Sequence, residues 1–449
     1  MNEELIKTVH QVLELCQKAG ASQAGVKISQ SRFIDVSIRD GEPDKASAST
    51  RQGLSLRLFI EGRFAVHSTS DLRPQGLAAF VADAAALTRA LEPDPYRSLP
   101  DPTRYPVGPA PELGLYDPEL AQAPAGYWAD KAARMEALAS ARAKDSGPQV
   151  VSVIGGAYGE TAFGYLADTS GFQGTLEETG GFVGCSMVFL DPEDGNKRRS
   201  GWWWEGSRGL GPLSGRLTMQ RIAGEAVRRG LAEMGAKPGP SGRYGLLVEN
   251  QAARTLLGHL LGAMSGQSLH NKRSYLSGRL GEPIAAGILT LRDEPLLIGG
   301  MGSRWFDAEG AASKPMTMIQ SGRLERYYLN TYYSRQLGLA PTTASASNIA
   351  LEPSHDEDFS AMLAGLERGL AVTGFLGGNF NSTTGDFSLG VKGLWVEGGS
   401  VKHAVEGMNL AGNALEFWRG LIKVGSDHYP FAANRAPSLL FDGVQLSGA

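Results

Sequence analysis

Chemistry along this chain could begin at His259. It lies in LLGHLLGAMSGQSLHNK (Leu256–Lys272), beside an apolar stripe of Ala253, Leu256, Leu257, Leu260, Leu261 and Met264 at helical spacing, with His270 further on. A zinc peptidase helix needs two imidazoles on one face and a glutamate to activate the metal-bound water. HExxH supplies both, but here Leu260 follows the histidine and position 263 is alanine. Read alone, the segment is a packed helix with a histidine on its flank. Asp307 and Glu309, in FDAEG, would share one side of an extended segment and could bind a cation or move a proton. A polar turn closed by Gly310 explains them equally well. His355-Asp356-Glu357-Asp358 precedes FSAMLAGLERGL and reads as acidic residues at a helix start.

Other chemistries lack their motifs. No GxSxG elbow occurs, and His67 beside Ser68 and Ser70 reads as a hairpin end leading into a helix. Gly374–Gly378, GFLGG, runs into Asn379 without the GK[ST] of a phosphate loop. Net charge is −4, so no global basic field exists to hold nucleic acid. Lys197-Arg198-Arg199 reads as a solvated turn, and the Trp202–Trp204 and Tyr327/Tyr328, Tyr332/Tyr333 clusters as packing rather than base stacking. Cys16 and Cys185 are too few for a disulfide framework. The N-terminus is acidic at once and lacks the continuous apolar core of a signal peptide; no apolar window is long enough to span a membrane. These features predict a cytoplasmic protein with no nucleic-acid or membrane partner.

The elements that must position these residues can be sketched. An amphipathic helix over 3–18 is followed by alternating strands that turn at Asp40-Gly41 and Glu61-Gly62. A helix capped by Asp71 or a nearby hydroxyl completes an α+β region over 1–91. Residues 92–125 hold nine of the 23 prolines and read as a linker or strap. A middle α+β region over 126–236, packing with the first, carries helices near 126–143 and 213–233. From 237 to 449 the chain reads as β-rich, with helices near 250–264 and 413–424. No internal repeat is evident. The fold class is α+β, an N-terminal antiparallel sheet with helices and a β-rich C-terminal domain.

Several ordered blocks carry a resemblance. GHLLGAMSGQSLHNKRSYLSGRLGEPI (258–284), GSRWFDAEG (302–310), IQSGRLERYYLNTYYSRQLGL (319–339), GGNFNSTTGDFSLGVKGLWVEGGSV (377–401) and NLAGNALEFWRGLIKVGSD (409–427) resemble the TldD/PmbA family, also called modulator of DNA gyrase. QAGVKIS and RQGLSLRLFIEGRFAVHSTSDL extend the likeness over nearly the whole chain. In the TldD-like branch HExxxH and a C-terminal cysteine hold zinc; the PmbA-like (TldE) branch lacks both. Laid on this chain, HExxxH puts Gly258 at the first histidine, His259 at the glutamate and Ala263 at the second histidine, and 427–440 contains no cysteine. The resemblance therefore implies a PmbA/TldE-like subunit without zinc, paired with a TldD-like subunit that holds it, in a cytosolic metallopeptidase complex that cuts unfolded peptides. Candidate substrate contacts are His259, Asp307, Glu309, Asn379 and Asp386. A homodimeric peptide-binding scaffold without hydrolytic activity is the alternative. A third reading rebuilds a metal site from His259 and His428 with Asp427 or the Asp307/Glu309 pair.

Overall fold

The computed structural model describes residues 2–448. The chain opens with α1 (Asn2–Lys18), β1 (Gln23–Arg39), β2 (Glu42–Ile60), β3 (Arg63–Thr69) and α2 (Pro74–Arg89). Asp40-Gly41 and Glu61-Gly62 both have positive φ at both positions, the backbone that tight hairpins require. After a connection carrying α3 (Pro118–Gln122), the same order returns: α4 (Ala125–Lys144), β4 (Val150–Asp168), β5 (Gln173–Leu190), β6 (Arg198–Ser207), a short α5 (Leu210–Ser214) and α6 (Arg216–Leu231). The six strands form one sheet, β3-β2-β1-β4-β5-β6, with β1 and β4 antiparallel at its centre. Two helix–three strands–helix units thus meet at that pair. The duplication is one of topology. Alternate burial constrains each position only to be apolar or polar, so the two copies share a pattern without sharing readable sequence.

Burial on the sheet explains where the helices lie. In β1, Val26 and Ile28 pack into the core with α1 and α2, and Ile34 and Val36 into the core with α4 and α6. All four have even numbers, so both helix pairs cover one face at opposite ends of long strands. Asp71 does not cap α2: its carboxylate is bound to Arg73, whose backbone occupies the cap position. The proline-rich segment is held to both halves. Arg104 donates to the Thr342 carbonyl at 2.6 Å, Gly299 N–H to that of Leu113 at 2.7 Å, and Tyr105 Oη to Asp168 at 2.7 Å.

The remaining chain runs through β7 (Gly242–Val248), α7 (Asn250–Ala263), α8 (Gly266–His270), β8 (Leu291–Asp293), β9 (Met316–Gln320), β10 (Arg323–Leu324), α9 (Thr331–Leu337), β11 (Ile349–Leu351) and α10 (Phe359–Ala364). It continues through β12 (Arg368–Phe380), β13 (Asp386–Glu397), β14 (Ser400–Asn413), α11 (Ala414–Arg419), β15 (Leu421–Val424), β16 (Asn434–Arg435) and β17 (Leu439–Gly448). β14-β13-β12-β7-β17-β15 form a sheet that the additional β14–β17 pairing closes into a circuit, with β15 appended. A smaller sheet, β10-β9-β8-β11-β16, stands beside it. The fold is α+β, with a β-rich C-terminal half. Arg199 departs from the solvated turn expected of its cluster. It is 5% exposed in β6 and bonds Asp191 at 2.7 Å and Glu406 of β14 at 2.6 Å, joining the two halves.

Candidate functional site

α7 follows β7 almost without a loop, because Glu249 already has extended backbone and its N–H bonds the Val372 carbonyl of β12. Ala252, Ala253, Leu256, Leu257, Leu260 and Ala263 turn inward. Gly258 and Gly262 face outward, and a Cβ added at either would meet nothing within 4 Å. Two interior glycines cost a helix about 1 kcal/mol each relative to alanine. No neighbouring atom requires them here, so their effect is a helix face left low and open.

β12 forms the other wall. It pairs with β7 only over Gly369–Val372, while its partnership with β13 continues to Phe380. From Thr373 to Phe380 the edge away from β13 therefore has no strand partner among the described residues. Register breaks at Val372/Gly374 and Phe375/Gly378, with positive φ at Gly377 and Gly378, bend this stretch while it stays paired with β13. Leu376 is 59% exposed on it.

His259 joins helix and strand. Its ring stacks on Phe380 with centroids 4.2 Å apart and planes within 5°, and Phe380 lies parallel to Phe387 of β13. Burial lowers the pKa of His259 below the ordinary imidazole value. Asn379 and Asp386 lie on the same β12–β13 hairpin, where Asp386 accepts from Thr384 Oγ1 at 2.7 Å and Asn413 Nδ2 at 3.0 Å. The structure thus gathers His259, Asn379 and Asp386 around one hairpin end.

Asp307 and Glu309 are elsewhere and occupied. Asp307 accepts from the N–H groups of Glu309 and Ala311 and from Thr343 Oγ1, organising its loop. Glu309 accepts from the N–H and hydroxyl of Thr331 at the start of α9, both at 2.8 Å. The loop borders a separate cavity of about 280 Å³ against β1 and β4. His428 Nε2 is 2.8 Å from the Leu351 carbonyl, and Asp427 accepts from Ser438 Oγ at 2.7 Å. Among the described residues no group of three or more histidine, cysteine, aspartate or glutamate side chains is placed to hold a metal ion. At the aligned zinc positions Gly258 and Ala263 have no ligating atom, so this donor set does not fit zinc.

Sequence reading passed over two features of the site. One is the free β12 edge, whose signal was the pair Gly377-Gly378 in a strand otherwise rich in apolar residues. The other is Arg254, one turn before Gly258 on α7.

Comparison with known proteins follows the same lines. The family described as PmbA/TldA metallopeptidase C-terminal domain matches residues 241–448, and its domain 1 matches 24–88. Metalloprotease PmbA of Escherichia coli O157:H7 is 28% identical, over 99% of this chain and 96% of that protein. A crystal structure from Bacteroides thetaiotaomicron, described as a candidate modulator of DNA gyrase, superposes with a TM-score of 0.92 at 32% identity, covering 99% of both chains. TldE from Thermococcus kodakarensis shares the fold, with a TM-score of 0.82 at 21% identity over 98% of this chain and 100% of that one.

Proposed function

Since the chain belongs to the PmbA/TldD metallopeptidase family, we propose that it is the PmbA/TldE-like, zinc-free subunit of a cytosolic complex that cleaves unfolded peptides. A TldD-like subunit bearing HExxxH supplies the zinc and the catalytic glutamate. This chain supplies a wall that holds extended peptide.

The observation that carries the reading is the unpaired edge of β12 beside an α7 that has no ligating side chain at Gly258 or Ala263. An extended peptide can add to such an edge through main-chain hydrogen bonds, which are indifferent to most side chains. Gly258 and Gly262 keep the facing helix surface clear. A folded substrate has already spent its backbone groups internally and cannot pair this way. Selectivity for unfolded chains then follows from geometry.

Backbone methylation tests strand addition directly. A peptide N-methylated at alternate residues on its hydrogen-bonding edge should lose most of its affinity for the complex, while methylation in the opposite register should be tolerated. Equal binding of the two registers would rule out pairing with β12.

A further inference from the structure

The free edge of β12 begins in an open cavity of about 350 Å³ lined by β6, α6, α7, β12 and β13, a volume in the range of specific ligand pockets. Most of its charges are matched. Arg228 and Arg229 bond Glu225, each also reaching Glu249, and Lys392 pairs with Glu233. Among the described residues, Arg254 alone of the cations lining the cavity has no carboxylate partner. Its guanidinium lies 5.0 Å from the Tyr429 ring centroid. With no carboxylate beside it, this guanidinium can give a charge-assisted bond to an anion that enters the cavity. Trp202, Phe375 and Leu376 add apolar wall beside that charge.

Strand direction decides which part of a peptide arrives there. β12 leaves the cavity at Thr373 and runs to Phe380 beside His259. A peptide antiparallel to β12 ends its C-terminus in the cavity; a parallel one would bring its ammonium terminus against Arg254. We infer that this cavity receives the C-terminal carboxylate of an extended peptide paired antiparallel with β12, and that Arg254 is the cation that binds it. The inference rests on strand addition to β12 and adds to it a polarity and a terminus. The site reads the end of a chain rather than its sequence.

The test uses the full chain and a labelled, unstructured peptide without acidic side chains, made as the free acid and as the C-terminal amide. Fluorescence anisotropy should show the free acid binding about tenfold more tightly at low ionic strength, with Arg254→Gln bringing it down to the affinity of the amide. Equal binding of acid and amide by the unmodified chain would overturn the carboxylate pocket while leaving strand addition intact. Binding of neither would overturn both. An amide bearing an internal glutamate that binds as tightly as the free acid would overturn the assignment to the terminus. The comparison on the unmodified chain depends on no variant folding.

Discussion

At the scale of single residues, the site is defined by what α7 does not carry. The proposal that Gly258 and Ala263 stand where a zinc helix needs imidazoles rests on residue types alone, laid on the family's HExxxH. The environment of His259 was not readable. Helical periodicity places a residue on a flank, but the partner, Phe380, is more than a hundred positions away and meets it only through the bend in β12. The stacked ring has a lowered pKa because burial disfavours the imidazolium. The unfolded chain therefore takes up its proton at higher pH than the folded chain does. Stability from the neutral ring is complete above the ordinary imidazole pKa and declines as pH falls through that value toward the lowered one. His259→Phe keeps the stack and removes the titration. Thermal melting at several pH values between 8 and 5 should show a shallower loss of stability in the variant, and identical slopes would refute the assignment.

At the scale of elements, hairpins and amphipathic helices follow their local signals closely, because the signals are local. Asp40-Gly41 and Glu61-Gly62 turn where their types predict, and α1 and α7 lie where 3.6-residue spacing places them. The predicted helix near 413–424 instead stops at Arg419, since Leu421–Val424 pairs with β17 as β15. Tertiary pairing overrode local propensity there. Arg199 shows the same limit for charge: three consecutive cations look solvated, yet β6 turns the last of them inward. There it meets the fully buried Asp191 and, across the sheet boundary, Glu406 of β14. Arg199→Ala leaves Asp191 buried with its ion-pair partner removed, which should cost about 3–5 kcal/mol. Urea unfolding would measure it, and a loss below about 1 kcal/mol would show that the pair contributes little.

At the scale of the whole molecule, the sequence shows a change from an α+β N-terminal region to a β-rich C-terminal one. It conceals the doubled arrangement of the first sheet and the strand circuit of the second, because both depend on pairings between distant segments. The groove of α7 and β12 is also invisible to local reading: β12 must lose β7 as a partner at Val372 before its edge is free. The same assembly of parts places the unmatched Arg254 at one end of that edge and His259 at the other. The central claim is that this chain shapes a peptide site and leaves the metal chemistry to a partner. Zinc content and cleavage of an unstructured peptide, measured on the purified chain with and without its TldD-like partner, test it most directly. The account predicts no stoichiometric zinc and no cleavage for the chain alone, and both when the partner is added. Stoichiometric zinc with peptide cleavage by the isolated chain would contradict it.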